Sequence, residues 1–421
     1  MSEVTVAGTE WLEDAGLQKL LRVLNADGEE ARVAGGAVRN ALLGEAVADV
    51  DIATTCLPEE TMRRAEAAGF KVVPTGIEHG TVTVIAHGVG YEVTTLRADV
   101  ETDGRRAKVA FGRDWKADAE RRDFTINALY AGADGSVIDL VGGLADLDSR
   151  TLRFIGDAEA RIREDYLRIL RFFRFFAWYG KGRPDAEGLK ASARLKDGLG
   201  RLSAERVWAE VGKLLSAPDP SRALLWMRQA GVLTKALPES EKWGIDAIHG
   251  LVKAEGDLGW TVEPLLRLEA IVPPDPARMA AMAERLKLSN ADADRLKGWA
   301  MAPPIGPKAT ESELAKRLYR EGRQPLLDRL KLALAGARAR AITENEALVE
   351  AGGYARLLKF AQNRETPKFP LKGADMQKIG VQPGPEMGKL LKRLEEEWIE
   401  ADFGLDSDAL LERAAAYVSG S

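Results

Sequence analysis

The sequence predicts an α+β protein: a small α/β head with a short sheet, followed by a long all-α remainder. Three observations carry this. Short runs rich in Val, Thr and Ile, punctuated by Gly, crowd the first 140 residues. From about residue 156 onward the apolar spacing is helical, with no strand-like alternation of any length. Pro-rich joints at 216–220 (SAPDP), 271–276 (IVPPDP), 303–307 (PPIGP) and 365–370 (ETPKFP) divide the helical part. No internal repeat is visible. A chain of 421 residues exceeds one compact core, so about two to four domains are expected.

Residues 11–27 place Trp11, Leu12, Leu17, Leu20, Leu21, Val23 and Leu24 at the spacing of an amphipathic helix. Arg32–Ala34 reads as a strand entering the Gly35-Gly36 turn. That turn opens a short helix bearing Arg39. A strand then carries Asp49 and Asp51 on one face, because strand side chains alternate, with Val50 and Ile52 turned to the core. Pro58 to Gly69 reads as a helix, Pro at its start and Gly at its end. Lys71–Val73, Gly80–Ala86 and Gly90–Thr95 read as strands. Ala98 to Ala119 is charged, Gly-dotted and aperiodic, which predicts a mobile loop. Arg121 to Ala128 predicts a helix start with Arg122, Asp123 and Asn127 on one side. Ile138–Leu140, Gly142-Gly143 and Asp146 read as a strand end, a glycine turn and a helix start, a packing or hinge element. Arg161 to Phe175 predicts a helix on which Asp165, Arg168, Arg171 and Arg174 recur every three residues, beside an apolar row of Leu167, Leu170 and Phe173.

Bulk properties exclude several classes. Hydrophobic residues make up 45% and charged residues 30%, an ordinary soluble composition. The single cysteine, Cys56, rules out an intrachain disulfide and fits a reducing, cytoplasmic setting. The N-terminus lacks the basic and apolar regions of a signal peptide, and no uncharged apolar run is long enough to span a membrane. A net charge of −5 argues against a globally basic nucleic-acid binder but leaves room for a local basic groove. His79, His87 and His249 are scattered, which excludes zinc chemistry and a His-based phosphohydrolase.

The chemistry concentrates in four segments. Asp49 and Asp51 beside a Gly-Gly turn offer what a Mg²⁺-triphosphate site needs: paired carboxylates, and a backbone that approaches a phosphate closely at Gly35 and Gly36. Arg39 is placed to meet phosphate oxygens. G-x-G-x-x-G is absent, and no Gly-Lys-Ser/Thr follows the glycines, so dinucleotide and P-loop folds fail. Arg122, Asp123 and Asn127 mix donors and acceptors suited to ribose hydroxyls and phosphates. The Asp165–Arg174 row is read as either a salt-bridged surface or a base reader. Adenine and cytosine both present an amino donor beside a ring-nitrogen acceptor; guanine and uracil present the reverse. An Asp that accepts and an Arg that donates therefore admit A or C, at roughly 1–3 kcal/mol of discrimination per bidentate match. Gly380 to Arg393 reads equally as a simple helix start or as an RNA-phosphate contact.

Taken in order, these segments resemble the class II tRNA nucleotidyltransferases, whose superfamily includes bacterial poly(A) polymerases. GGAVRNALLGEAVADVDIATT resembles their metal-binding motif, RRDFTINALY their ribose motif, and Asp139 to Arg153 their hinge. EDYLRILRFFRF is similar to their amino-acid template helix, Leu202 to Leu215 to the helix that supports it, and GVQPGPEMG to a tail segment. The resemblance implies a nucleotidyltransferase head over 1–155, a helical neck over 156–215, a body over 216–302 and a tRNA-binding tail over 303–421. It implies CCA addition to tRNA 3′ ends from CTP and ATP. Asp49 and Asp51 would hold two Mg²⁺; Gly35, Gly36 and Arg39 would bind phosphates; Arg122, Asp123 and Asn127 would read ribose; and Asp165 and Arg168 would select bases, with Arg171 and Arg174 behind them. Glu92 is a candidate further carboxylate or an exposed strand residue. Asn40 departs from the family, where many members have Asp. Poly(A) polymerase, partial CC or A addition, and a silent RNA-binding protein are the alternatives. Relatives that add only CC are shortened at the segment matching Ala98–Ala119.

Overall fold

A computed structural model describes residues 4–99, 109–241 and 243–419. The chain divides into two units. The first comprises Met1–Ala217 and Arg222–Ala236; the second comprises Pro218–Ser221 and Leu237–Ser421.

The first unit opens with α1 (Ala15–Leu24), β1 (Ala31–Ala34), α2 (Gly36–Leu43), β2 (Asp51–Thr54), α3 (Pro58–Ala67), β3 (Lys71–Gly76), β4 (Thr81–Ala86) and β5 (Val89–Thr95). There follow β6 (Arg97–Asp99), β7 (Val109–Phe111), α4 (Trp115–Glu120), a 3₁₀ turn (Thr125–Asn127), β8 (Leu129–Ala131), β9 (Val137–Asp139) and α5 (Gly143–Asp148). Helices α6 (Ala158–Glu164), α7 (Leu167–Tyr179), α8 (Ala186–Leu195), α9 (Ala204–Leu215), α10 (Ser221–Gln229) and α11 (Val232–Ala236) complete this stretch. Among the described residues β9 is the last strand, as the helical patterning beyond residue 156 predicts.

Seven strands form one sheet in the order β3-β4-β5-β2-β1-β8-β9. Only β2 and β5 run parallel, joined by a crossover long enough to hold α3 and the β3–β4 pair. The leucines of α1 (Leu17, Leu20, Leu21, Leu24) are fully buried, which is why that amphipathic stripe folds. Asp14 caps α1 and accepts the Tyr91 hydroxyl at 2.9 Å, fastening the helix to β5. At the end of β9, Asp139 accepts the backbone N–H groups of Val141, Gly142, Gly143 and Leu144, so one carboxylate holds the glycine turn in place.

The described structure departs from the sequence reading in four places. Asp49 precedes β2 rather than lying within it; only Asp51 is a strand residue. Arg122 and Asp123 sit in the turn after α4, and Asn127 closes the 3₁₀ turn, because Phe124 is extended and pairs with Phe154 across an isolated bridge. Asp165 lies off the helix: its extended backbone separates α6 from α7, where its carboxylate accepts the Leu167 N–H at 3.0 Å. The Ala98–Ala119 segment is not structureless at its ends, since β6 pairs with β7 and Asp114 caps α4. Residues 100–108 of that predicted loop lie outside the described residues.

The second unit is helical: α12 (Asp246–Leu258), α13 (Pro264–Glu269), α14 (Pro276–Leu286), α15 (Asn290–Met301), α16 (Glu311–Glu321), α17 (Arg323–Arg340), α18 (Asn345–Asn363), α19 (Gly373–Lys378), α20 (Pro385–Glu400) and α21 (Ser407–Ser419). Each Pro-rich joint falls between two helices, α9/α10, α13/α14, α15/α16 and α18/α19, where a missing N–H costs nothing. One apolar cluster gathers Leu314, Leu326, Leu330, Leu334, Leu357 and Leu358; a second centres on Leu394, Trp398 and Leu410. No described helix is long and apolar enough to cross a membrane.

Glu269 stands out in this unit. It is buried, and neither carboxyl oxygen has a hydrogen-bond partner. Burial, then the neighbouring Asp328, raise its pKa well above the ordinary 4.5. A carboxyl raised in the folded state stabilises the protein at low pH, and that contribution is lost as pH rises toward the folded value. Denaturant titrations at several pH values should therefore show Glu269→Gln gaining stability relative to the parent protein as pH rises above the ordinary carboxyl range. Parallel pH profiles for the two proteins would contradict it.

Candidate active site

A cleft of about 840 Å³ opens in the first unit between the sheet and α7. Every site residue expected from the sequence lines it: Gly35, Gly36, Arg39, Asp49, Asp51, Arg122, Asp123, Asn127, Asp165, Arg168, Arg171 and Arg174. Residues separated by some 140 positions in the chain thus meet in one recess. Glu92, Arg97, Arg121, Tyr179 and Arg206 line it as well.

The acidic end is built by strand register. Asp51 starts β2 and lies opposite Glu92 of parallel β5. Its recess, the charge of Glu92 and that of Asp49 raise the Asp51 pKa, while Arg122 opposes the shift. Crowded carboxylates of this kind favour a cation, and an all-oxygen donor set suits Mg²⁺ rather than zinc. Among the described residues no three His, Cys, Asp or Glu side chains gather closely enough to hold an ion alone. The donor set therefore fits an ion that keeps waters and shares substrate oxygens.

Beside this end stands the Gly-Gly turn. Gly35 has φ +70°, and its N–H donates to the Leu129 carbonyl at 2.8 Å. A Cβ there would sit 3.2 Å from the Asn127 carbonyl oxygen, so only glycine closes the turn freely. Arg39 follows one turn into α2 and lines the cleft, but little of it is exposed. Its Nε and Nη2 donate to Asn40 Oδ1 at 3.1 and 2.9 Å. Nη2 also donates to the Tyr179 hydroxyl at 2.8 Å, and Nη1 donates to Asn127 Oδ1. The guanidinium lies 4.0 Å from the Tyr179 ring centre. Its place in the phosphate end is thus set by a network reaching α7, not by a free fork.

The RRD segment is organised by a carboxylate that the sequence reading missed. Asp118 of α4, 1% exposed, accepts two hydrogen bonds from Arg121 (2.9 and 2.8 Å) and two from Arg122 (3.2 and 3.1 Å). The Tyr130 hydroxyl adds a fifth at 2.8 Å. The two arginines hold the Asp118 carboxyl below its ordinary value despite burial. The signal was present: Asp118 lies three and four residues before the two arginines, the spacing of helical neighbours. Asp123 accepts Arg171 Nε and Nη2 on one oxygen at 2.8 and 2.5 Å, and Asn127 Nδ2 on the other at 3.2 Å.

The row from Asp165 to Arg174 is likewise braced. Arg168 Nη1 donates to the Arg161 carbonyl at 2.8 Å and to the Glu164 carboxylate. Asp165 Oδ2 accepts Arg206 of α9 at 2.6 Å. Arg174 pairs with buried Glu210 of α9 at 2.9 Å, and Arg171 approaches the same carboxylate at 3.8 Å. The Arg168 N–H donates to the Asp165 carbonyl at 3.0 Å, while their side chains are each held from behind by another residue. Arg206 and Glu210 escaped the sequence reading. Glu210 lies on the apolar face of α9 with Val207, Val211 and Leu214, and a charge on an apolar stripe is a readable sign of a buried pair.

Two family descriptions match the chain: "Poly A polymerase head domain" over residues 31–153, and "Probable RNA and SrmB- binding site of polymerase A" over residues 184–243. The chain is 35% identical over 409 residues to the CCA tRNA nucleotidyltransferase 1, mitochondrial, of Mus musculus, covering 94% of this chain and 89% of that one. It is 34% identical over 407 residues to a CCA-adding enzyme of Leuconostoc mesenteroides, covering 96% of each. Its fold matches the crystal structure of the Bacillus stearothermophilus CCA-adding enzyme in complex with CTP, with a TM-score of 0.70 and 27% identity over 96% of this chain and 98% of that one. The Thermotoga maritima CCA-adding enzyme complexed with tRNA shares the fold at a TM-score of 0.62, 19% identity and coverage of 95% and 94%.

Asp118 gives this site a stability test. Asp118→Asn removes the charge that two adjacent arginines share in a buried position, and should cost about 2–3 kcal/mol in chemical denaturation, the low end for a broken buried pair because both arginines keep partial solvent access. A change under about 0.5 kcal/mol would mean that the arginines do not depend on it.

Proposed function

Because the chain belongs to the CCA tRNA nucleotidyltransferase family, we propose that it adds C, C and A to tRNA 3′ ends, using CTP and ATP and releasing pyrophosphate. The observation that carries this reading is the convergence of all twelve expected residues on one cleft. We assign 1–155 as the catalytic head, 156–215 as the neck, 216–302 as the body and 303–421 as the tRNA-binding tail. Cytoplasmic localisation is part of the same reading, supported by the single, buried Cys56.

Asp49 and Asp51 would hold Mg²⁺, which when bound supplies positive charge to the triphosphate and to the tRNA 3′-OH. The Gly35-Gly36 turn admits the polyphosphate against the first turn of α2. Arg122, fixed by Asp118, faces the charge that develops on the phosphates. Asn127 has one amide hydrogen left to donate to the ribose, and Asp123, whose oxygens already accept Phe124, Asn127 and Arg171, holds it toward that group. Asp165 accepts the amino group of C or A, and Arg168 donates to the adjacent ring nitrogen. Because these two side chains take the place of a template strand, one pocket serves both bases. The all-α remainder would grip the tRNA by shape and phosphate contacts.

The test offers transcripts ending at the discriminator base, at C and at CC, with each NTP alone and with CTP plus ATP. Growth by three residues followed by a stop is expected. The family description of the head names poly(A) polymerase, so long A tails are the outcome that favours that second reading. Asp51→Ala should abolish incorporation while tRNA binding, measured by filter retention, stays nearly intact; near-normal turnover would remove Asp51 from the mechanism. Arg168→Ala should relax base choice roughly tenfold to a hundredfold, measured as incorporation of UTP or GTP against CTP. Unchanged selection of C and A alone would end the reading of Arg168 as part of the template.

A further inference from the structure

We propose that Asn40 is a positioning residue that leaves Arg39 without an internal counter-charge, so that the polyphosphate of a bound nucleotide supplies one. The inference rests on the reading of the cleft as a nucleotide site.

Arg39 is 6% exposed, and a cation so buried normally faces a carboxylate. Here every hydrogen-bond partner is neutral: Asn40 Oδ1, Asn127 Oδ1 and the Tyr179 hydroxyl. Among the described residues none provides Arg39 with an ion pair. Asp123 is the carboxylate that acts on it electrostatically, and that group is already spent on Arg171. Arg121, Arg122, Arg168, Arg171, Arg174 and Arg206 each have a carboxylate within 4 Å. Arg39 thus differs from these six arginines of the same cleft.

Asn40 creates that difference. Its Nδ2 donates to the Ala46 carbonyl at 2.8 Å. With the donor end of the amide engaged there, the oxygen is left for the two Arg39 bonds. A carboxylate at this position would pair with Arg39 charge to charge, and would turn an unprotonated oxygen toward Ala46. A Cβ on Gly36 would lie 3.6 Å from Arg39 Nη2, so the unneutralised guanidinium sits beside the first turn of α2. Its positive charge and the N-terminal dipole of that helix add at the place where polyphosphate is expected.

Titration calorimetry on the full chain tests this, with CTP, ATP and pyrophosphate as probes, without Mg²⁺, at low and high ionic strength. Asn40→Asp should raise Kd about tenfold for all three probes at low salt, and the loss should shrink at high salt because the effect is Coulombic. Asn40→Ala, which is neutral, should change Kd by less than about threefold. Arg39→Gln should weaken binding as much as Asn40→Asp, and Asn40→Asp should add nothing in that background. This variant reads the same cation directly if Asn40→Asp does not fold. Equal losses in Asn40→Asp and Asn40→Ala would assign Asn40 to holding the Ala46 turn alone and overturn the proposal. So would unchanged affinity in either Asn40→Asp or Arg39→Gln. If the unmodified protein binds none of the probes, the nucleotide reading itself falls, a result separate from any difference between variants.

Discussion

Gathering eight arginines around one recess is the constraint on which the first unit depends. Arg39, Arg97, Arg121, Arg122, Arg168, Arg171, Arg174 and Arg206 line the same cleft. Like charges at such spacing repel by kilocalories where solvent is excluded. The fold answers with carboxylates, three of them (Asp118, Glu164 and Glu210) outside the cleft lining and two (Asp123 and Asp165) within it. Asp118 takes two of the arginines, Asp123 one and Glu210 chiefly one; Glu164 and Asp165 take two more. The pairs fix side-chain directions, and they do so from helices packed for that purpose: α4 carries Asp118, and α9 carries Glu210 and Arg206 to α7.

This arrangement also explains why the protein can be acidic overall yet expect an anionic partner. A net charge of −5 over 421 residues is an average. The field that matters is local: eight guanidinium groups and five carboxylates line the cleft, and three further carboxylates, Asp118, Glu164 and Glu210, offset the remaining arginines without lining it. Within it the signs are segregated. Asp51 starts β2, with Asp49 just before it and Glu92 opposite it on β5, whereas the helix α7 presents Arg168, Arg171 and Arg174. A Mg²⁺-bound triphosphate needs both signs at neighbouring places.

How much of this was legible in the sequence depended on the range of the determining interaction. Local patterns were readable: the Gly-Gly turn, the helix from Pro58, the strand runs and the proline joints all appear where periodicity and turn chemistry put them. What failed needed tertiary knowledge. Asp165 seemed part of a continuous helical row, yet its side chain caps the next helix, and the backbone breaks to allow it. Arg122, Asp123 and Asn127 share a site without sharing a helix face, because the Phe124–Phe154 bridge straightens the chain between them. Asp118 was visible only as a charge before two arginines; its burial, which makes it matter, is a property of the sheet and Tyr130 above it. The consequence of Asn40 could not be derived from spacing, since it turns on which end of one amide faces Arg39.

The polar contacts form one connected chain, and its direction bears on how such a site stays accurate without a nucleic-acid template. From the Ala46 carbonyl the links run through Asn40, Arg39, Asn127, Asp123 and Arg171 to Glu210. They begin in the segment leading to Asp49 and end on α9, whose Glu210 meets Arg171 and Arg174. A reader made of two side chains discriminates only if it is held to within a fraction of an ångström of the reacting phosphate, because a bidentate match is worth a few kilocalories at best and misplacement forfeits it. Apolar packing alone sets that distance loosely, since rotamers at a cleft edge lose little by shifting. A continuous set of polar contacts, most of them partly buried, sets it more sharply, since moving any member gives up a hydrogen bond or an ion contact. The same reasoning says why the chain should pass through Arg39 rather than around it. A buried guanidinium has five donors in a rigid plane, enough to join Asn40 of α2, the 3₁₀ turn and α7 at one point.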